Sequence, residues 1–439
     1  MGIPTMKMSG NLNVLVIVAV TFSVAMHGSA QVTPDYDLPP VSYTRAKDHN
    51  TITRLQAAMD EQRFTFPDSG EKEILKVLLN ELKIPVASQV LVFSKTSLQR
   101  KMIRPAKPRA IYFNKDYYVG YVPGGLIEII ACDDPAGMMF YSLDPSKKVS
   151  ERRFERGHDC MMCHANHNTM DIPGLLVRSV FTEKTGETVL SWGSFLTTPA
   201  SPMSERWGGW YVTGTHGESL HLGNKFVMRS PSNRLSYNKR HGQNVTDLSP
   251  YYDTGTHLTD TSDILALMLM EHQIQVHNTI YAAKMSYLRR VYLAQAVDQA
   301  SYDPDSESSR KMVGEYADKV LKTLVFADAI DLPADGIDGS DRFEKAFMKA
   351  GVVHGGHSLR DLRLQKRLFK YRCSYMIHSK AFGVLPELIR KEVLVRLHKM
   401  VTGEVGYPGM PQLSDREKGR IHSILSATHT GYRDVIAVK

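Results

Sequence analysis

Ala110-Ile111-Tyr112-Phe113-Asn114, Tyr117-Tyr118-Val119-Gly120-Tyr121-Val122, Leu126-Ile127-Glu128-Ile129-Ile130-Ala131-Cys132 and Met138-Met139-Phe140-Tyr141-Ser142-Leu143 follow one another closely along the chain. Ile, Val, Tyr and Phe dominate all four runs. A turn signal separates each run from the next: Lys115-Asp116, then Pro123-Gly124-Gly125, then residues 133–137. Loops this short cannot carry parallel crossovers, so the stretch predicts an antiparallel meander.

Working towards the N-terminus, residues 90–93 read as a further strand. Ile52, Leu55 and Met59 share one helical face, and Ile74, Val77, Leu78 and Leu82 share another, with Pro85 ending helical character. Residues 31–50 are rich in Pro, Asp and Tyr and read as an extended lead-in. Towards the C-terminus, residues 175–181, 188–195 and 210–212 are strand candidates, and the polar stretch 230–262 reads as a long loop. Ser262 and Asp263 are N-cap candidates for a helix running to about Val297. Shorter helices are expected near 309–326, 340–350, 384–400 and 414–427. The fold class is therefore α+β, with short N-terminal helices, an antiparallel meander and a helical C-terminal half. The expected organisation is a leader over 1–30, helices plus sheet over 31–150, a motif-bearing region over 151–232 and a helical region over 233–439.

Composition narrows the function classes. The chain has 439 residues, 42% hydrophobic and 23% charged, an ordinary globular balance. Its 54 basic and 46 acidic residues give a formal charge of +8 without a dense basic block, so nucleic-acid binding is not expected. Four cysteines are too few for a disulfide-stapled scaffold. Residues 12–26 form one apolar run, short for a bilayer span of about 20 residues. Gly28 and Ala30 then suit a cut before Gln31. Export to the periplasm is the expectation, with membrane contact at most peripheral.

Cys160-Met161-Met162-Cys163-His164 decides the chemistry. C-x-x-C-H is the attachment pattern of c-type haem: two thiols add across two vinyl groups, and the adjacent histidine ligates the iron from the proximal side. A zinc ribbon would need a second ligand pair, whereas Cys132 and Cys373 stand alone. The cofactor expected is one covalent haem c held by Cys160, Cys163 and His164. The run resembles that of c-type cytochromes. Longer stretches, among them residues 88–97, 108–114, 173–181 and the tryptophan-rich 204–217, resemble a family of large, exported, single-haem bacterial proteins. That resemblance implies a cytochrome c-like attachment segment and redox partner proteins. Strand-rich sequence after the motif departs from small helical cytochromes.

The second axial position draws several candidates. His216, in a Gly-flanked turn, is the first of them; His221, Met228 and His272 are its rivals. An open position would instead suit a peroxidase-like oxidoreductase or a small-ligand sensor. Arg206 leads the candidates for pairing with haem propionates, ahead of Arg178, Trp207 and Trp210. Electron transfer is the favoured function, and Cys132 and Cys373 could pair or stay free.

Overall fold

The structure is a computed structural model that describes Gly2, residues 33–298 and residues 302–437. The chain divides into two units, Met1–Pro34 and Asp35–Lys439. The apolar run and cut site of the expected leader lie outside the described residues, and every element below belongs to the second unit.

Asn50 starts the first helix. Its side chain accepts N–H bonds from Ile52 and Thr53 while Thr53 Oγ1 accepts from Asn50 N, a reciprocal capping box for α1 (Thr51–Asp60). After α2 (Glu71–Glu81) come β1 (Val90–Val92), β2 (Arg109–Phe113), β3 (Tyr117–Tyr121), β4 (Ile127–Asp134), β5 (Gly137–Leu143) and β6 (Glu155–Arg156). The four-residue α3 (Met161–His164) precedes a separate hairpin of β7 (Val177–Val180) and β8 (Ser194–Thr197). The chain then returns to the main sheet as β9 (Trp210–Tyr211), giving the order β6-β5-β4-β3-β2-β1-β9, antiparallel throughout. The meander and its turns thus fall where the sequence puts them. Residues 188–195 do not form one strand: 190–192 make a 3-10 turn, and Gly193, at φ 108°, redirects the chain into β8.

Adjacent residues of one strand fix the layers. Tyr117 OH lies 2.6 Å from Thr51 Oγ1 of α1, whereas Tyr118 OH lies 3.1 Å from His277 Nδ1 of α4 (Ile264–Asp298). Successive side chains on a strand point to opposite faces, so α1 and α4 cover opposite faces of the sheet. Asp263 caps α4, accepting from Ala266 N at 2.8 Å.

Every residue from Ile264 to Tyr281 is buried except Gln275. A helix buried all round is usually apolar, yet this one carries Glu271, His272, Gln273, His277 and Asn278 inside. Each is bonded to a different neighbour: Glu271 to Arg206 and Trp207, His272 to Ser374, Gln273 to Tyr375, His277 to Tyr118, Asn278 to Leu175. These bonds wire α4 to the sheet, to the segment after α3 and to the C-terminal region.

A small hairpin, β10 (Met228–Arg229) with β11 (Leu235–Ser236), interrupts the polar connection before α4. The C-terminal half follows as α5 (Glu307–Leu324), α6 (Asp341–Lys349), α7 (Lys380–Gly383), α8 (Glu387–Thr402), α9 (Asp415–Thr428) and α10 (Thr430–Ala437). Two short hairpins between 353 and 369 and the helix α10 add to the expected list. Among the described residues, no helix is long and apolar enough to cross a membrane. Cys132 and Cys373 are both buried free thiols.

Candidate functional site

The motif sits where the chain leaves the sheet. Gly157 N–H donates to Phe140 C=O at 2.8 Å, and a Cβ at Gly157 would stand 2.8 Å from Cys160 Sγ, so a glycine lets the thiol approach. A 3-10 turn over His158–Cys160 runs into α3, leaving Cys160 half-buried and Cys163 exposed.

His164 is fixed from both ends. Its Nδ1 lies 2.9 Å from Gly174 C=O, and Gly174 N–H donates to His164 C=O at 2.7 Å. A carbonyl only accepts, so Nδ1 carries the proton and Nε2 keeps its lone pair. Nε2 has no hydrogen bond among the described residues. Asn278 of α4 fastens the same loop: Leu175 N–H donates to its Oδ1 at 3.0 Å, and its Nδ2 donates to Leu175 C=O at 2.7 Å. A Cβ at position 174 would meet Asn278 Oδ1 at 2.8 Å and Thr169 Cβ at 2.9 Å. Burial holds the His164 imidazole below its ordinary pKa, favouring the neutral ring a metal needs.

A cavity of about 350 Å³ opens beside these residues, within the usual range for small-molecule sites. Cys160, Cys163 and His164 line one side. Ile111, Ile130 and Phe140 of the sheet, Leu175 and Val177, and Met270 and Ile274 of α4 supply apolar walls. The Phe140 ring lies 5.0 Å from the His164 ring, centre to centre.

Thr96, Ser97, Asn166, Asn168 and Arg178 also line it, and a charged pair stands on the sheet wall. Arg109 Nη2 and Glu128 Oε2 are 2.5 Å apart. They flank Gly120, whose missing side chain makes room: a Cβ there would lie 2.6 Å from Arg109 Nη2. Arg109 Nε is buried with no hydrogen-bond partner among the described residues. Burial, then the Glu128 charge, pushes the Cys160 thiol up to about 11, so it is protonated at neutral pH.

The structure brings Cys160, Cys163 and His164 together with Arg178 and Trp210, and leaves Arg206, His216, His221, Met228 and His272 off the cavity walls. Arg206 is buried against Glu271 at 2.5 Å and also donates to the carbonyls of Pro199 and Ser201, so its guanidinium is committed elsewhere. His216 packs against His221 at 4.7 Å between ring centres, neither residue lines the cavity, and His221 Nδ1 accepts from Gly223 N. Met228 is exposed on its hairpin. His272 Nε2 is 2.7 Å from Ser374 Oγ. Trp210 does line the cavity, its Nε1 donating to Arg178 C=O at 2.8 Å, and Arg178 lines it too.

The residues passed over in the sequence are Arg109, Glu128, Met270 and Asn278. Arg109 and Ile111, like Glu128 and Ile130, share one strand face, and that mixed polar and apolar spacing was the available signal. Met270 and Asn278 are hidden within a uniformly buried helix.

The donor set fits a group that brings most of its own metal ligands. Among the described residues no three His, Cys, Asp or Glu side chains converge on a point where a metal ion could sit. A single neutral imidazole, two thiols and an apolar cavity are what a covalently attached porphyrin requires, since its ring supplies four nitrogens to the iron. Compared with protein-family models, curated proteins and solved structures, the chain matches none.

Proposed function

We propose that the protein is an exported c-type cytochrome with one covalent haem, passing single electrons between periplasmic redox proteins. Cys160 and Cys163 are the thioether anchors and His164 the proximal iron ligand in this reading. One observation carries it: the C-x-x-C-H run lines an apolar cavity, with His164 held by Gly174 so that Nε2 is the free nitrogen. A backbone carbonyl fixing the far nitrogen is the usual support of a metal-bound histidine.

When bound, haem supplies the one-electron couple. The chain's own residues do the rest. Gly174 and Asn278 orient the imidazole and keep its Nδ1 protonated. Ile111, Ile130, Phe140 and Ile274 exclude water, which tunes the potential through the local dielectric. Arg109 has unused donor capacity on the cavity wall and takes the propionate-pairing role first considered for Arg206. Met270, 1% exposed, is the buried thioether among the cavity-lining residues, and in the electron-carrier reading it would help His164 hold the iron.

A second reading, an open sixth position serving a peroxidase-like oxidoreductase or a small-ligand sensor, is favoured by the absence of His216, His221, Met228 and His272 from the cavity walls. Carbon monoxide separates the two. An unchanged spectrum of the reduced protein on exposure to the gas supports the carrier with Met270 bound; a rapid shift supports the open site.

A further inference from the structure

A second cavity, of about 400 Å³, lies between the β2–β3 turn, the end of α2 and helix α6. Its walls are mainly apolar: Leu82, Phe113, Phe343 and Phe347. Into it faces Arg360, only 8% exposed. The guanidinium is clamped between two rings, 4.6 Å from the centre of Phe347 and 4.5 Å from that of Tyr375. Its one side-chain hydrogen bond is a long one, from Nη1 to Phe347 C=O at 3.2 Å. It has no carboxylate partner among the described residues.

An arginine carries five N–H donors, and a buried cation without a counter-ion is costly. Arg360 makes one hydrogen bond within the protein, which leaves four N–H donors for solvent or a ligand. None of its nitrogens is both sealed from solvent and unbonded, so the free donors open onto the cavity. Three lysines line the same space: Lys115 pairs with Asp116, Lys380 sits 3.1 Å from Asp133, and Lys83 is solvent-exposed at the end of α2. Arg360 is thus the buried cation of the lining without an ion-pair partner among the described residues, while Glu81 and Asp116, on the same walls, disfavour a polyanion.

We infer that this cavity binds an organic monoanion, a carboxylate on an apolar body, with the Arg360 fork taking the carboxylate and the phenylalanines taking the body. A planar fork held by two rings is pre-organised for that contact, so little entropy is lost on binding. The site is independent of the haem reading, because it shares no residue with the motif's cavity.

The test is calorimetric titration of the full-length protein with 2-naphthoate, its neutral amide and inorganic phosphate. Expected is saturable binding of 2-naphthoate, no binding of the amide, and at least about tenfold weakening in Arg360→Met. Because Arg360 is buried and its loss could impair folding, Ala346→Phe serves as a second variant, filling the cavity from α6 while leaving Arg360 in place; it should abolish binding. No binding of 2-naphthoate, equal binding of the amide, preference for phosphate, or full binding by Ala346→Phe would each overturn the inference.

Discussion

His164 and Gly174 are bonded twice, imidazole Nδ1 to carbonyl at 2.9 Å and amide back to carbonyl at 2.7 Å, so the ring's tautomer and direction are set by ten residues of local chain. Asn278 holds the next residue of that loop through both its N–H and its C=O.

Gly174→Ala tests the close approach. The added methyl would overlap Asn278 Oδ1 and Thr169 Cβ. Overpacking of this kind costs about 1–3 kcal/mol, to be read as a lower urea midpoint. If the loop shifts, the reduction potential of the haem-loaded protein shifts with it.

Asn278→Ala removes the clamp and leaves two buried backbone groups of Leu175 unpaired. The expected destabilisation is about 2–4 kcal/mol by denaturant unfolding, since each orphaned group costs about 1–3 kcal/mol. A loss below about 0.5 kcal/mol would mean that the loop holds its shape without α4.

Buried histidines set the acid limit. Burial holds His257, His277 and His378 neutral down to about 4, and His272 to about 3. The unfolded chain takes up these protons near 6.5, before the folded one does, so stability rises with pH through this window. It is complete above about pH 6.5 and is lost as the pH falls from there towards 4. For His257, on the order of 3 kcal/mol is at stake. Its Nε2 donates to Pro108 C=O at 2.9 Å, so His257→Gln, which keeps an N–H donor but cannot ionise, should flatten part of the decline between pH 6.5 and 4.5 in a thermal-melt series.

Met270→Ala tests the axial assignment. In the reduced, haem-loaded protein the variant should bind carbon monoxide rapidly and the parent should not. Rapid binding by the parent would move the account to the open-site reading.

Much of this architecture is legible in the sequence, and the gaps have physical causes. The meander announces itself because Lys115-Asp116 and Pro123-Gly124-Gly125 punctuate runs of Ile, Val and Tyr. The cap at Asp263 and the motif at Cys160 are local patterns that need no tertiary context. Residues 188–195 mislead because a two-stranded hairpin is set by its partner β7 and by the turn at Gly193, not by β-propensity alone. Spacing and residue type point to His216, His221, Met228, His272 and Arg206, but they do not encode which polar groups meet. Arg206 does bind a carboxylate, but that of Glu271. Asn278 and Arg360 gain their interest only from neighbours more than ten residues away in sequence.

The central claim is the tethered haem, and one measurement addresses it directly. Full-length protein produced in a host competent for cytochrome maturation is to be taken through intact-mass analysis and a pyridine haemochrome spectrum, beside Cys160→Ala/Cys163→Ala. The parent chain should carry the mass of one haem, retained under denaturing conditions, with a c-type haemochrome band, and the double variant should be colourless. A bare polypeptide mass and no visible absorption in the parent would contradict it.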